Sequence, residues 1–283
     1  MVYTSSHKMT DIMHHLSDVR QSVNYAKYLR SQGWIVERIK NTNYFIKKLV
    51  FLGSVLKIQR PETIDFETTK KIEEKYKVFQ TIIEPLIPID NYKLSRSPYL
   101  PSKTLHLDLT KPIVFKKETR RCIKIGDKQK IVEYSTPEKI EKFHNAWKKS
   151  VNFHRFVPSL QCLINLKKAF PNNHSIFLAS HNKSGGIIGG AIFTRSSHDI
   201  AYYWYGFTNN EGRTSLSQYP LLYSGILWAK KQGCKVFDFE GIYDDRFPQR
   251  SWLGFTHFKK SFGGLEIEYP GCYTKYNWFR GWF

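Results

Sequence analysis

From Trp34 to Gln59 three short runs, WIVERI, YFIKKLVFL and SVLKIQ, alternate apolar with polar side chains, separated by Lys-Asn-Thr-Asn and a glycine. A period of two in runs this short places successive side chains on opposite faces of an extended chain. Connections this tight join antiparallel neighbours, so the segment reads as a β-meander. A helix is expected before it, from Ser17 to Gly33: Ser17 can cap it, Val19, Val23, Tyr25, Ala26 and Leu29 supply apolar contacts, and Gly33 ends it. After it, ETIDFETTKKIEEKY (Glu62 to Tyr76) has the charge and periodicity of an amphipathic helix, followed by the apolar strand VFQTIIEP. A further strand is expected over Thr104 to Leu109, where the alternation resumes.

The second half repeats the theme. Pro137 to Val151 and Ser159 to Phe170 read as helices, the first with proline at an allowed opening position. Ser175 to Ser180 and Gly186 to Thr194 form a hairpin around NKSGG, and Asp199 to Phe207 is a strongly aromatic strand. Tyr219 to Gln232 is a helix stopped by Gly233, and CKVFDFEG is a buried strand. Both halves therefore alternate helices with largely antiparallel strands around a central sheet, an α/β chain duplicated only coarsely. No linker is rich enough in Pro, Gly or Ser to separate flexible domains.

Charge narrows the partners. The 283 residues carry 44 Lys+Arg against 24 Asp+Glu, a formal net charge of +20. That balance favours nucleic acid, anionic lipid headgroups or phosphate-bearing substrates. Cys122, Cys162, Cys234 and Cys272 lie far apart with no C-x-x-C pair, and the histidines His14, His15, His154, His174, His181 and His257 show no metal-ligand spacing. No metal site is expected, and the cysteines read as reduced residues of a cytoplasmic protein. No apolar run reaches membrane-spanning length, and MVYTSSHKMTDIMHHL lacks the order of a signal peptide.

Longer motifs carry a resemblance. QSVNYAKYLRSQGW, IQRP, TIIEPL, SKTLHLDL and KKETRRCIK occur in this order in the first part of the chain. AYYWYGFTNNEGR, YPLLYSGILWAKKQGCKVFDFEGI and WLGFTHFKKSFGG follow. Together, from Gln21 to Gly264, they resemble the Fem family of peptidoglycan interpeptide-bridge aminoacyltransferases. The resemblance implies two acyltransferase-type (GNAT-like) subdomains with mixed, largely antiparallel sheets, here 1–114 and 115–264, with residues 265–283 packing back onto the first. No long charged helical pair is present to form the coiled-coil arm of some members. The implied activity is transfer of an amino acid from aminoacyl-tRNA, a co-substrate rather than a bound cofactor, to an amine of a UDP-linked or lipid-linked muramyl-pentapeptide. A cytoplasmic monomer is expected, with the charge also suited to contact with the inner face of an anionic membrane.

The same resemblance assigns residues. Lys259, the lysine of the family's Phe-Lys pair, stands beside the reacting groups, where a fixed cation stabilises the oxyanion of a tetrahedral intermediate. Phe258 shapes the wall of the site and Gly263-Gly264 turns the chain away; if the segment is extended, Lys260 faces the opposite way. Glu84, in the apolar run IIEPL, stands at an acidic position of the family; burial raises a carboxyl pKa, and general base and structural carboxylate are both open roles. Lys27, or Arg30 in its place, and Arg213 correspond to residues that hold a diphosphate, and Tyr219 offers a further hydrogen bond or a place at the core edge. Asp238 and Gly241 lie at a strand's end beside the expected cleft, and Asp238 reads as a structural residue that organises the loop by hydrogen bonds. The basic run KKETRRCIKIGDKQK suits an RNA phosphate backbone or a solvated face.

Two rivals remain. An acyl-CoA-dependent N-acyltransferase of the same fold requires a glycine-rich loop for pyrophosphate, where this chain has FTNNEGRTSLSQYP with a single glycine. A non-catalytic nucleic-acid-binding protein fits the charge, although no recognition motif accompanies it.

Overall fold

The computed structural model describes residues 17–51, 53–151, 155–196 and 199–277. His14, His15, His154, the N-terminal sixteen residues and residues 278–283 of the expected C-terminal strand lie outside that range.

The first helix opens at Ser22 and not at Ser17. Ser22 has extended backbone (φ −76°, ψ 154°), which interrupts any helix begun earlier, and its hydroxyl accepts from the Tyr25 amide at 3.0 Å. Asp18 instead caps a single 3-10 turn, Val19–Gln21, so one expected helix is two pieces. Helix α1 (Val23–Ser31) leads through Gly33, in the left-handed region at φ 75°, into the expected meander. Strands β1 (Ile35–Ile39), β2 (Thr42–Leu49) and β3 (Gly53–Gln59) pair antiparallel in sequence order. Asp65, accepting from the Thr68 amide at 2.9 Å, starts α2 (Phe66–Lys75) a turn later than Glu62. The chain then returns as β4 (Val78–Glu84), parallel to β3, and the short β5 (Lys93–Leu94) follows.

Strand β6 (Lys103–Asp108) joins a second sheet. The basic run that follows is a helix, α3 (Lys117–Gly126), leading to β7 (Lys130–Glu133). Helices α4 (Pro137–Ser150) and α5 (Leu160–Ala169) have the expected proline and serine openings. Then come β8 (Ser175–His181), β9 (Ile187–Arg195), β10 (Ile200–Thr208), a short helix α6 (Asn210–Thr214), α7 (Gln218–Lys231) and β11 (Val236–Gly241). WLGFTHFKKSFGG is not extended: a 3-10 turn at Arg250–Trp252 runs into helix α8 (Leu253–Ser261), and β12 (Leu265–Glu268) follows. Strand β13 (Tyr273–Tyr276) goes back to the first sheet, antiparallel to β4 and β5.

The sheets have the orders β1-β2-β3-β4-β13-β5 and β12-β6-β11-β10-β9-β8-β7. Contacts divide the chain into two units, one with the residues up to Lys103, Asp244–Gln249 and those from Glu268 onward, the other with Thr104–Tyr243 and Arg250–Ile267. The division falls after Lys103, ahead of the expected Val114, because β6 pairs with β11.

Each unit contains the same run of elements: helix, three antiparallel strands counted in chain order, a crossover helix, and a strand parallel to the third. In the first unit this run is α1-β1-β2-β3-α2-β4, and in the second α5-β8-β9-β10-α7-β11, with the short α6 inserted between β10 and α7. The cores differ in scale. Tyr44, Ile46, Leu56, Ile58 and Ile83 build the first, whereas the second is aromatic, with Phe193, Phe237, Phe239 and Phe262 all fully buried. Helix α7 lies so close to its sheet that a Cβ at Gly225 would come within 2.3 Å of the Phe193 ring.

Candidate functional site

The two crossovers differ at one place. In the first unit the parallel strands stay paired to their ends, with Gln59 opposite Glu84. In the second, β10 and β11 pair only over Ile200–Tyr202 and Val236–Asp238 and then part, although β10 continues to Thr208 and β11 to Gly241. A parted parallel pair leaves backbone groups and space for a ligand at the carboxyl ends of the strands. Helix α8 brings a cation there.

Lys259 is buried on α8, and its ammonium donates to the carbonyl of Gly241, the last residue of β11, at 2.7 Å. The helix puts Phe255 one turn earlier on the same face, and the ammonium lies 5.0 Å from that ring's centroid and 5.6 Å from that of Tyr203 on β10. The aromatic wall is therefore Phe255 and Tyr203. Phe258 points elsewhere, packing edge-on to Tyr219 at 5.0 Å and to Phe262 at 5.6 Å in the core. Burial pulls the Lys259 pKa down to about 8, a shift that the negative charges of Glu240 and Asp238 only partly offset. Lys260, next on the helix, is half exposed and pairs with Glu266 at 2.5 Å. Gly263 and Gly264, at φ 81° and 103°, then turn the chain out of the helix, a conformation open to glycine without strain.

A polar clamp sets the position of the Gly241 carbonyl. Strand β11 bulges between Asp238 and Gly241, with Glu240 in the left-handed region at φ 57°. Such a conformation is unfavourable for a residue with a Cβ, and two side chains hold it. The buried Asp238 carboxylate accepts from the Glu240 amide at 2.7 Å, and the Thr104 hydroxyl on β6 lies 2.7 Å from the Glu240 carbonyl and 2.5 Å from Asp238. His106, also on β6, donates from Nε2 to the other Asp238 oxygen at 3.1 Å, and its Nδ1 is buried without a partner among the described residues. Burial works against the Asp238 charge, yet His106, Thr104 and the Glu240 amide together hold its pKa below the usual carboxylate value.

The other expected site residues are spread over both units. Glu84 is buried in the first, at the closed end of β3 and β4, where its carboxylate accepts from Gln59 Nε2 at 2.8 Å and from the Leu100 amide. The partners of this carboxylate are amides. Lys27 is exposed on α1. In the second unit, Arg213 is exposed on α6 and donates to the Thr208 carbonyl at 3.0 Å and to Asn210 Oδ1. Tyr219 stacks on Phe262 at 5.6 Å and packs, partly buried, against the aromatic core.

The loop that a coenzyme A pyrophosphate would need is helix α6, with its amides already engaged. Gly212 N donates to the Asn209 side chain at 2.8 Å, and the amides of Arg213, Ser215, Leu216 and Ser217 donate to carbonyls between Asn209 and Arg213. A Cβ at Gly212 would lie 2.1 Å from the Ile188 carbonyl, so this glycine serves close packing of α6 on β9.

Sequence reasoning singled out Lys259 but missed its surroundings: Tyr203, Phe255, Thr104, His106 and Glu240. Helical spacing in LGFTHFKKS would have paired Phe255 with Lys259, and the alternation of TLHLD places Thr104 and His106 on one face.

No protein-family model matches the chain, and no curated protein matches it in sequence. Solved structures do. The chain is similar to FemX at 14% identity with a TM-score of 0.77, over 98% of this chain and 96% of that one. It is similar to L-PGS from Bacillus licheniformis at 10% identity and a TM-score of 0.63, over 96% and 91% of the two chains. A tandem GNAT protein from the clavulanic acid biosynthesis pathway matches at 7% identity and a TM-score of 0.51, over 83% and 78%. The fold is the tandem GNAT-like architecture, with two mixed, mostly antiparallel sheets.

Proposed function

We propose that this tandem GNAT-like chain is an aminoacyltransferase that moves an amino acid from aminoacyl-tRNA to an amine of a muramyl-pentapeptide precursor. The observation that carries the reading is the buried ammonium of Lys259, whose one hydrogen-bond partner among the described residues is a backbone carbonyl at the place where β10 and β11 part. A lysine bound by a neutral acceptor keeps a full charge to offer, unlike one neutralised in a tight ion pair. The likeness in fold to FemX supports the choice of donor and acceptor.

In the proposed reaction the acceptor amine attacks the carbonyl carbon of the aminoacyl ester, and negative charge collects on the carbonyl oxygen. The Lys259 ammonium hydrogen-bonds that oxygen, in a site walled from water by Phe255 and Tyr203. The carbon–oxygen bond to the tRNA ribose then breaks, an amide forms, and the proton lost by the amine goes to the departing ribose oxygen. Glu84 is assigned a supporting role in its own unit, since both of its carboxylate oxygens are engaged. Lys27 in the first unit and Arg213 in the second, each exposed, are each proposed by itself as a contact to phosphate. Aminoacyl-tRNA places the reaction in the cytoplasm, and among the described residues no helix is long and apolar enough to cross a membrane.

The test is transfer of labelled amino acids from a total aminoacyl-tRNA pool to UDP-linked or lipid-linked muramyl-pentapeptide. Label should appear in the precursor, coenzyme A should not compete, and binding of charged tRNA should weaken steeply with salt. Transfer to no precursor, with tight coenzyme A binding insensitive to salt, would replace this reading by an acyl-CoA-dependent one.

A further inference from the structure

Away from Lys259, the second unit carries a cavity of about 650 Å³ between α3, the segment that precedes it, and α7. Its floor is apolar: Phe115 and Tyr223 meet edge to face at 5.8 Å, with Ile123 beside them. Its rim is also apolar, and exposed, with Val114 at 84% and Leu227 at 44% of full exposure. Three cations surround it, Arg120 and Lys124 one turn apart on α3 and Lys230 on α7, against the single carboxylate of Asp127. Lys230 donates to the Lys111 carbonyl at 2.8 Å, which ties the segment bearing Val114 to α7. Arg120 and Lys124 are exposed and form no ion pair among the described residues.

Two physical facts point the same way. A valine left almost wholly in water on an ordered segment gains nothing for folding. Two unpaired cations on the same helix face attract a negative surface, more so in a chain of net charge +20. An RNA backbone would use the cations but has no use for Val114 and Leu227. A bilayer containing anionic phospholipid uses both, with apolar side chains entering the interface while the cations meet headgroup phosphates.

We propose that this face of the second unit docks on an anionic membrane surface, with Val114 and Leu227 entering the interface and Arg120 and Lys124 binding phospholipid headgroup phosphate. The docking is independent of the aminoacyl donor, and it is measured without donor or acceptor, so its failure leaves the transferase reading untouched.

The experiment is flotation of the full chain with phosphatidylcholine vesicles, with and without phosphatidylglycerol, alongside a gel shift with total tRNA. The parent should float only with phosphatidylglycerol. V114E/L227E should lose flotation at least tenfold while retaining the tRNA shift. R120Q/K124Q should lose it roughly twenty-five-fold, each basic residue at such a surface contributing about a factor of five. All four residues are exposed or at the rim, and thermal melting confirms the fold of each variant. Equal flotation with pure phosphatidylcholine, or parent-like flotation of V114E/L227E, would overturn the proposal. Loss of the tRNA shift in R120Q/K124Q with flotation unchanged would overturn it too, and would make this face an RNA surface.

Discussion

The ammonium of Lys259 donates to the carbonyl oxygen of Gly241 at 2.7 Å, and a neutral acceptor is the only hydrogen-bond partner that ammonium has among the described residues. The charge is thus placed but not cancelled. Its worth in an acyl-transfer site depends on the proton staying in place.

The first prediction concerns that proton. Lys259→Ala should lower turnover by roughly two to three orders of magnitude, the usual result of losing one oxyanion donor. Lys259→Arg should recover part of the rate, and it removes the titration, because a guanidinium stays charged across the working range. The ratio of parent to Lys259→Arg in kcat/KM cancels the titration of the acceptor amine. It should be flat below pH 8 and fall above, as the lysine with its pKa at about 8 loses its proton. A ratio that rises through pH 8 would mean that the neutral amine is the active form.

Stability should show the same group with a defined sign. The Lys259 pKa is about 8 in the folded chain and lies near the ordinary lysine value when unfolded. Between these values the unfolded chain binds more protons, so the parent gains stability as pH rises through that window. Below it, both states are charged and the full burial penalty applies. Lys259→Met should therefore melt above the parent at pH 7, and the difference should shrink by pH 10. A difference independent of pH would show that the lysine is not strained by burial.

The clamp on β11 can be tested by rescue. Thr104→Val removes the hydroxyl that reaches Asp238 and the Glu240 carbonyl, and kcat should fall roughly ten- to a hundredfold as the Gly241 carbonyl shifts. Glu240→Gly relieves the left-handed strain, about 1–2 kcal/mol for a residue with a Cβ. The double variant should recover part of kcat with KM little changed. No recovery would mean that Thr104 acts otherwise than by shaping the bulge.

Glu84→Gln should act on the fold before the chemistry. The carboxylate receives donors from Gln59 and the Leu100 amide, and a glutamine must turn its own NH₂ toward one of them. A destabilisation of about 1–3 kcal/mol is expected from the buried group left unsatisfied. Denaturant unfolding reads this directly. An unchanged midpoint with lost turnover would restore Glu84 as a proton acceptor.

Much of the fold was legible because its signals are local. The period-two runs between Ile35 and Gln59, the Gly33 and Gly233 stops, the hairpin at Asn182 to Gly186 and the helix at Pro137 each depend on residues a few positions apart. Where local signals competed, the nearer cap prevailed: Ser22 took the helix start from Ser17, and Asp65 from Glu62.

The site depended on distance. The sequence picked out Lys259 and its neighbouring glycines, but the wall expected of Phe258 falls to Phe255, because α8 is helical and puts residues four apart on one face. What sequence determined was the order of helices and strands and the presence of a lysine among aromatics. Tertiary structure alone decided that β6 crosses to the second sheet, that β10 and β11 part beyond Tyr202 and Asp238, and that Thr104 meets Glu240 across 136 positions of chain. Short-range propensity cannot encode those pairings, because strand partners are chosen by the burial of whole faces and not by neighbours in sequence.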